Sequence, residues 1–196
     1  MREFILLALR ARTDDFTLDR TEAGLVCRTV TNALWMSKGT RKDTCIHVVL
    51  NGPPSAPKIV SFDGSTFVGG GFDEQSIADF ITTALSAGKK LEMHQQQEVM
   101  PGINVGKESF EALVQEKSKH TQLIYLHPRG EDIRTFTFEK NCTIVLGDLY
   151  GIPKHTEHLL SRLGAAKVKL GPSMLFASHC PVIVHNELDR REKGWS

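Results

Sequence analysis

Apolar runs of strand length alternate along this chain with stretches whose apolar residues recur at helical spacing, and that alternation limits the fold more than any single motif does. The segment EFILLAL (3–9) is apolar apart from its first residue and is closed by Arg10, Arg12 and the Asp14-Asp15 loop, as expected of a buried strand. From Thr21 to Met36, residues Leu25, Val26, Thr29, Val30, Ala33 and Leu34 recur at spacings of three, four and seven, with Gly39 as the stop, which predicts an amphipathic helix. CIHVVLN (45–51) predicts a second buried strand, ended by Gly52-Pro53-Pro54 because proline donates nothing to a ladder. KIVSFDGS predicts a third, turning at Asp63-Gly64 into a hairpin with STFVGG.

Asp73 is placed to cap a helix striped by Ile77, Phe80, Ile81, Ala84 and Leu85, which Gly88 ends. The polar stretch 89–106, with Gln95-Gln96-Gln97 and Pro101-Gly102, is expected to be a connection finishing in a short strand, INV. Then follow a helix FEALVQEK, strands QLIYL (122–126) and TIVLG (143–147) flanking a hairpin-like insert with Gly130, a helix from Pro153 to Leu163 closed by Gly164, and a strand KVKL before Gly171-Pro172. The segment 175–191 stays ambiguous. PVIV has the β-branched content of a strand, whereas Leu175, Cys180, Ile183, Val184, Glu187, Leu188 and Arg191 recur at helical spacing. With no repeat and no Pro/Ser-rich linker, the whole chain, 1–196, is expected to be a single α/β domain with a largely parallel sheet and helices on both faces.

Lys and Arg number 24 and Asp and Glu 23, so a polyanion would have to be met by a local patch. Arg2, Arg10, Arg12, Arg28, Arg41 and Lys42 are the candidate RNA contacts, the alternative being an ordinary solvated face. Four cysteines without CxxC spacing, no secretory signal and no apolar run near the roughly 18 residues of a membrane span predict a soluble cytoplasmic protein with reduced thiols. His179, Cys180 and His185 make at most half of a zinc set and no second pair exists, so no metal is expected. His155 and His158 read as solvated.

In a parallel α/β sheet, ligands collect at the carboxyl ends of the strands. Three such junctions stand close: LHPRGED (126–132), LGDLYGIP (146–153) and LGPSML (170–175). Gly147, Gly151 and Gly171 would leave room for a flat ligand and expose backbone to its edge, although turn chemistry alone also explains them.

The combination of VLGDLYGIP (145–153), LGPSMLFASHC (170–180) and HNELDRR (185–191), preceded by GEDIR and by NGPPSAPKIVSFDGS, resembles the TrmY family, which methylates N1 of pseudouridine 54 in tRNA and belongs to the SPOUT superfamily. The resemblance covers essentially the whole chain. It implies a SPOUT-like fold with a C-terminal trefoil knot, the knot and cofactor site lying at about 120–196, an S-adenosylmethionine cofactor, a homodimer and a tRNA substrate whose base is extruded. It makes the final segment a helix. Leu126, Gly147, Leu170, Gly171, Leu175 and Cys180 fall at the cofactor positions, Cys180 beside the methionine end, and Asp148 and His179 are the candidates for handling the N1 proton. Ser178 stands where archaeal members have a carboxylate. That substitution motivates the other reading, a catalytically silent module that binds RNA or assists its folding.

Overall fold

The computed structural model describes residues 1–195, and its centre is the strand nearest the N-terminus. β1 (Arg2–Ala8) pairs in parallel with β4 (Thr44–Leu50) on one side and with β9 (Cys142–Gly147) on the other, Arg2 lying opposite both Thr44 and Cys142. β8 (Gln122–Asp132) lies beyond β9, and β10 (Ala166–Lys169) forms the edge, again in parallel. On the far side of β4 run β5 (Lys58–Asp63), β7 (Ile103–Gly106) and β6 (Gln96–Met100), each antiparallel to its neighbour. The eight-strand order is β10-β8-β9-β1-β4-β5-β7-β6. The parallel expectation therefore holds from β10 to β4. It stops there because residues 51–57, rich in proline, are too few to carry a crossover helix, so β5 returns beside β4 in the opposite sense.

Alternate residues of β1 serve opposite faces of the sheet. Phe4, Leu6 and Ala8 join a core with α1 (Thr21–Leu34), α2 (Glu74–Ala87) and α5 (Cys180–Glu192). Ile5 and Leu7 join a second core with Phe110 and Val114 of α3 (Phe110–Lys117) and Leu159 and Leu160 of α4 (Lys154–Arg162). Helices thus cover both faces. Asp73 caps α2 by accepting from the Ser76 amide, and Ser109 caps α3 by accepting from that of Ala112. No helix among the described residues is long and apolar enough to cross a membrane.

Several local expectations are corrected. α1 ends at Leu34, two residues early, because Trp35 turns extended and forms with Met36 a short strand, β2 (Trp35–Met36), against β3 (Gly39–Thr40). STFVGG makes no hairpin: the Phe67 amide folds back onto the Asp63 carbonyl, and β5 takes β7 as its partner. Gln96 and Gln97 of the glutamine run open β6, whose mostly exposed polar residues carry no apolar signal. Residues 122–132 are one bulged strand and not a hairpin arm: Lys167 lies opposite Tyr125 and Val168 opposite Glu131, so 126–130 loop out. The ambiguous final segment is a helix with Pro181 in its first turn, as the resemblance implies.

α5 returns from the β10 edge to lie against α1, and the chain's second residue pins it. The Arg2 guanidinium, 4% exposed, bonds to Asp189 at 2.6 Å and pairs with Asp43 and Glu192. Arg41 grips the same Asp189 at 3.1 and 2.7 Å.

Candidate functional site

The bulge within β8 and the loops that leave β9 and β10 at their carboxyl ends enclose a cleft of about 350 Å³, toward the small end of the roughly 300–1,000 Å³ typical of small-molecule sites. It straddles the sheet edge between the two cores. One wall is apolar, from Leu126, Leu146, Leu170 and Leu175, with Ala177 and Cys180 at the start of α5. The opposite wall, beside α4, carries Tyr125, His127 and Glu157.

All six residues expected to hold a cofactor line this one cleft. Their glycines do different jobs. A Cβ on Gly147 would fall 2.5 Å from the carbonyl carbon of Gly151, so this glycine is demanded by its own loop and not by a ligand. A Cβ on Gly171 would meet no protein atom within 4 Å, so this position opens onto the cleft. Cys180 donates to the Phe176 carbonyl at 3.5 Å, and burial pushes its thiol up to about 11, which keeps it protonated near neutrality.

Asp148 also lines the cleft, at its floor. Its Oδ2 accepts from the Leu9 amide at 2.7 Å and its Oδ1 from that of Tyr150 at 2.8 Å, tying the loop after β1 to the loop after β9. Burial raises its pKa above the ordinary carboxylate value, against the pull of those two bonds. His179, the other proton-handling candidate, is exposed beside α5 with its ring edge-on to Phe176, and it is not part of the cleft wall. Ser178 is buried between α1 and α5, its carbonyl accepting from Asn32 at 2.6 Å, and it does not line the cleft either.

The basic residues separate by burial. Arg2 and Arg41 are spent inside the molecule on Asp189, so the expectation that they contact RNA is corrected: a guanidinium already matched by carboxylates has no free fork for phosphate. Arg28 pairs with Glu74, and Arg12 with Asp14. Arg10 differs. It is exposed and lies 3.9 Å from the centre of the ring of Tyr150, which lines the cleft. His155 and His158 are exposed, as expected. Sequence reasoning named the junction that holds His127 but missed Tyr125 and Glu157 beside it. Tyr125 reads as one more core residue of QLIYL and Glu157 as part of a solvated helix face, and only the approach of α4 to β8 brings them together.

Comparisons with known proteins give the site its context. The profile of a family described as "Putative SAM-dependent RNA methyltransferase" matches residues 1–193. A Photobacterium profundum protein named "Putative pseudouridine methyltransferase" is 37% identical over 195 residues, covering 96% of this chain and 98% of its own. A Vibrio cholerae protein of the same name is 35% identical over 202 residues, with both chains fully covered. Among solved structures, Archaeoglobus fulgidus Nep1 bound to S-adenosylhomocysteine shares the fold with a TM-score of 0.57 at 13% identity, covering 86% of this chain and 70% of that one.

Proposed function

The chain belongs to the family of S-adenosylmethionine-dependent RNA methyltransferases, and from that premise we propose that it methylates N1 of a pseudouridine, at position 54 in the T-loop of tRNA. The observation that carries this reading is the convergence of Leu126, Gly147, Leu170, Gly171, Leu175 and Cys180 on one cleft at the bulge of β8 and the carboxyl ends of β9 and β10. The site suits the cofactor in kind. Leucine side chains offer faces for a purine, the glycine-rich loops offer backbone to its edge, and the open side of Gly171 leaves space for it. The return of α5 from the sheet edge to α1 agrees with the knotted connection the resemblance implies.

Bound there, S-adenosylmethionine would supply a methyl group already activated by its sulfonium charge. The chain then has to align N1 with that carbon and accept the N1 proton. Asp148 is the group we assign to the proton: it lies in the cleft, and a raised pKa makes it a better base than an ordinary carboxylate. An extruded base would reach it past Tyr150, with Arg10 against a neighbouring phosphate. Leu149, Met174, Phe176, Val182 and Ile183 are exposed apolar residues on the loops after β9 and β10 and on the first turn of α5, which suits a second copy of the chain. Cytoplasmic residence follows from an RNA substrate.

Transfer of labelled methyl to two tRNAs that differ only in pseudouridine or uridine at position 54 tests the reading. Incorporation into the first alone is expected. No transfer to either, with cofactor binding intact, would favour a silent RNA-binding module. Its sequence motive is weak, because Ser178 does not line the cleft and its substitution removes no carboxylate from it.

A further inference from the structure

Buried polar atoms in folded proteins nearly always have a partner, and each exception asks for a reason. The Tyr125 hydroxyl is such an exception: it is buried and has no hydrogen-bond partner among the described residues. The residue is 2% exposed, yet it lines the cleft together with Glu157 of α4, whose carboxylate is near enough, after burial itself, to push the phenol up. The phenol is therefore a donor at neutral pH. Asp148, the other carboxylate lining the cleft, already accepts from Leu9 and Tyr150, whereas the Glu157 carboxylate is the polar neighbour of the phenol, close enough to act on it although the hydroxyl makes no hydrogen bond within normal geometry.

A group that complements this wall must accept from the phenol and donate to the carboxylate. An ammonium offers no acceptor, and the cationic Lys167, 5.7 Å from the Tyr125 ring centre, stands against it. A ligand carboxylate would face that of Glu157. A hydroxyl satisfies both neighbours, and adjacent hydroxyls do so best, in the way acidic side chains hold a nucleotide ribose elsewhere. We propose that Tyr125 and Glu157 form a ribose subsite in the cleft, the phenol donating to one ribose oxygen and the carboxylate accepting from a ribose hydroxyl of the bound cofactor.

This rests on the proposed use of the cleft for S-adenosylmethionine, and the test keeps the two separable. Calorimetric titration would compare S-adenosylhomocysteine with 5′-methylthioadenosine, which keeps adenine and ribose but lacks the amino acid, on the wild-type protein and on Tyr125→Phe and Glu157→Ala. Both variants are expected to bind both ligands about three- to tenfold more weakly, the worth of one or two hydrogen bonds. Ligand-free Tyr125→Phe is expected to melt no lower than wild type, because it loses a hydroxyl that had no partner. A variant that binds both ligands as tightly as wild type overturns the subsite, as does weakening confined to S-adenosylhomocysteine, which would move the contact to the amino acid. A lower melting point for ligand-free Tyr125→Phe would make the hydroxyl structural and also overturn it. Failure of the wild-type protein to bind either ligand would instead sink the methyltransferase reading itself.

Discussion

At the scale of single residues, Gly147 and Gly171 look alike in the sequence and separate in the structure. Gly147→Ala forces a methyl group into the backbone of Gly151 and is expected to destabilise the fold by about 1–3 kcal/mol in urea unfolding. Gly171→Ala meets no neighbour, so its stability should stay within about 0.5 kcal/mol of wild type while S-adenosylhomocysteine binds more weakly in a calorimetric titration. The arginines divide in the same way. Arg2→Ala strands Asp189 between fewer partners and removes a buried guanidinium, and should cost about 3 kcal/mol of stability. Arg10→Ala should leave stability unchanged but lower the salt dependence of tRNA binding by about one phosphate contact. A sequence marks both as charges and says nothing of burial, which is why Arg2 and Arg41 read as RNA contacts.

At the scale of elements, α5 was the segment that periodicity left open, since Val182, Ile183 and Val184 suit a strand as well as a helix. Tertiary contacts hold it as a helix. His185 donates from Nε2 to the Ala33 carbonyl at 2.9 Å, and its Nδ1 lies 3.2 Å from Arg2, so the ring is held neutral with Arg2, Arg41, Asp189 and the Phe4 ring around it. Burial, then the positive charge of Arg41, lowers its pKa to about 4 from the usual 6.5. A depressed histidine binds its proton more readily in the unfolded chain. Its contribution is therefore complete above about pH 6.5 and is lost as pH falls toward 4. Taken alone, His185 should lower stability in urea unfolding by roughly 2 kcal/mol between pH 7 and pH 5, and His185→Gln should remove that drop. His47, whose pKa is raised to about 9, partly offsets the drop by adding stability as pH falls through 6.5. Asp189, held at about 2 by its two arginines, against the opposing effect of burial, titrates below this window. β6 escaped notice for the opposite reason: it is an edge strand with mostly exposed polar residues, so neither period shows in it.

At the scale of the whole molecule, the α/β class and the strand-end location of the cleft were legible, because buried parallel strands write continuous apolar runs and their loops write glycines. The antiparallel half was not, since the direction of β5 depends on the length of a proline-rich connection. Exposed apolar side chains beside the cleft lead to a further expectation, that sedimentation equilibrium will give a dimer and that Val182→Asp with Ile183→Asp will give a folded monomer by circular dichroism. The position of β1 has a consequence for biosynthesis. As the chain leaves the ribosome, β4 can join β1 early, but the other side of β1 waits for residues 142–147, almost a hundred positions after β4. Until then a nascent chain carries an apolar strand with one open edge, the kind of surface that recruits chaperones or unwanted partners.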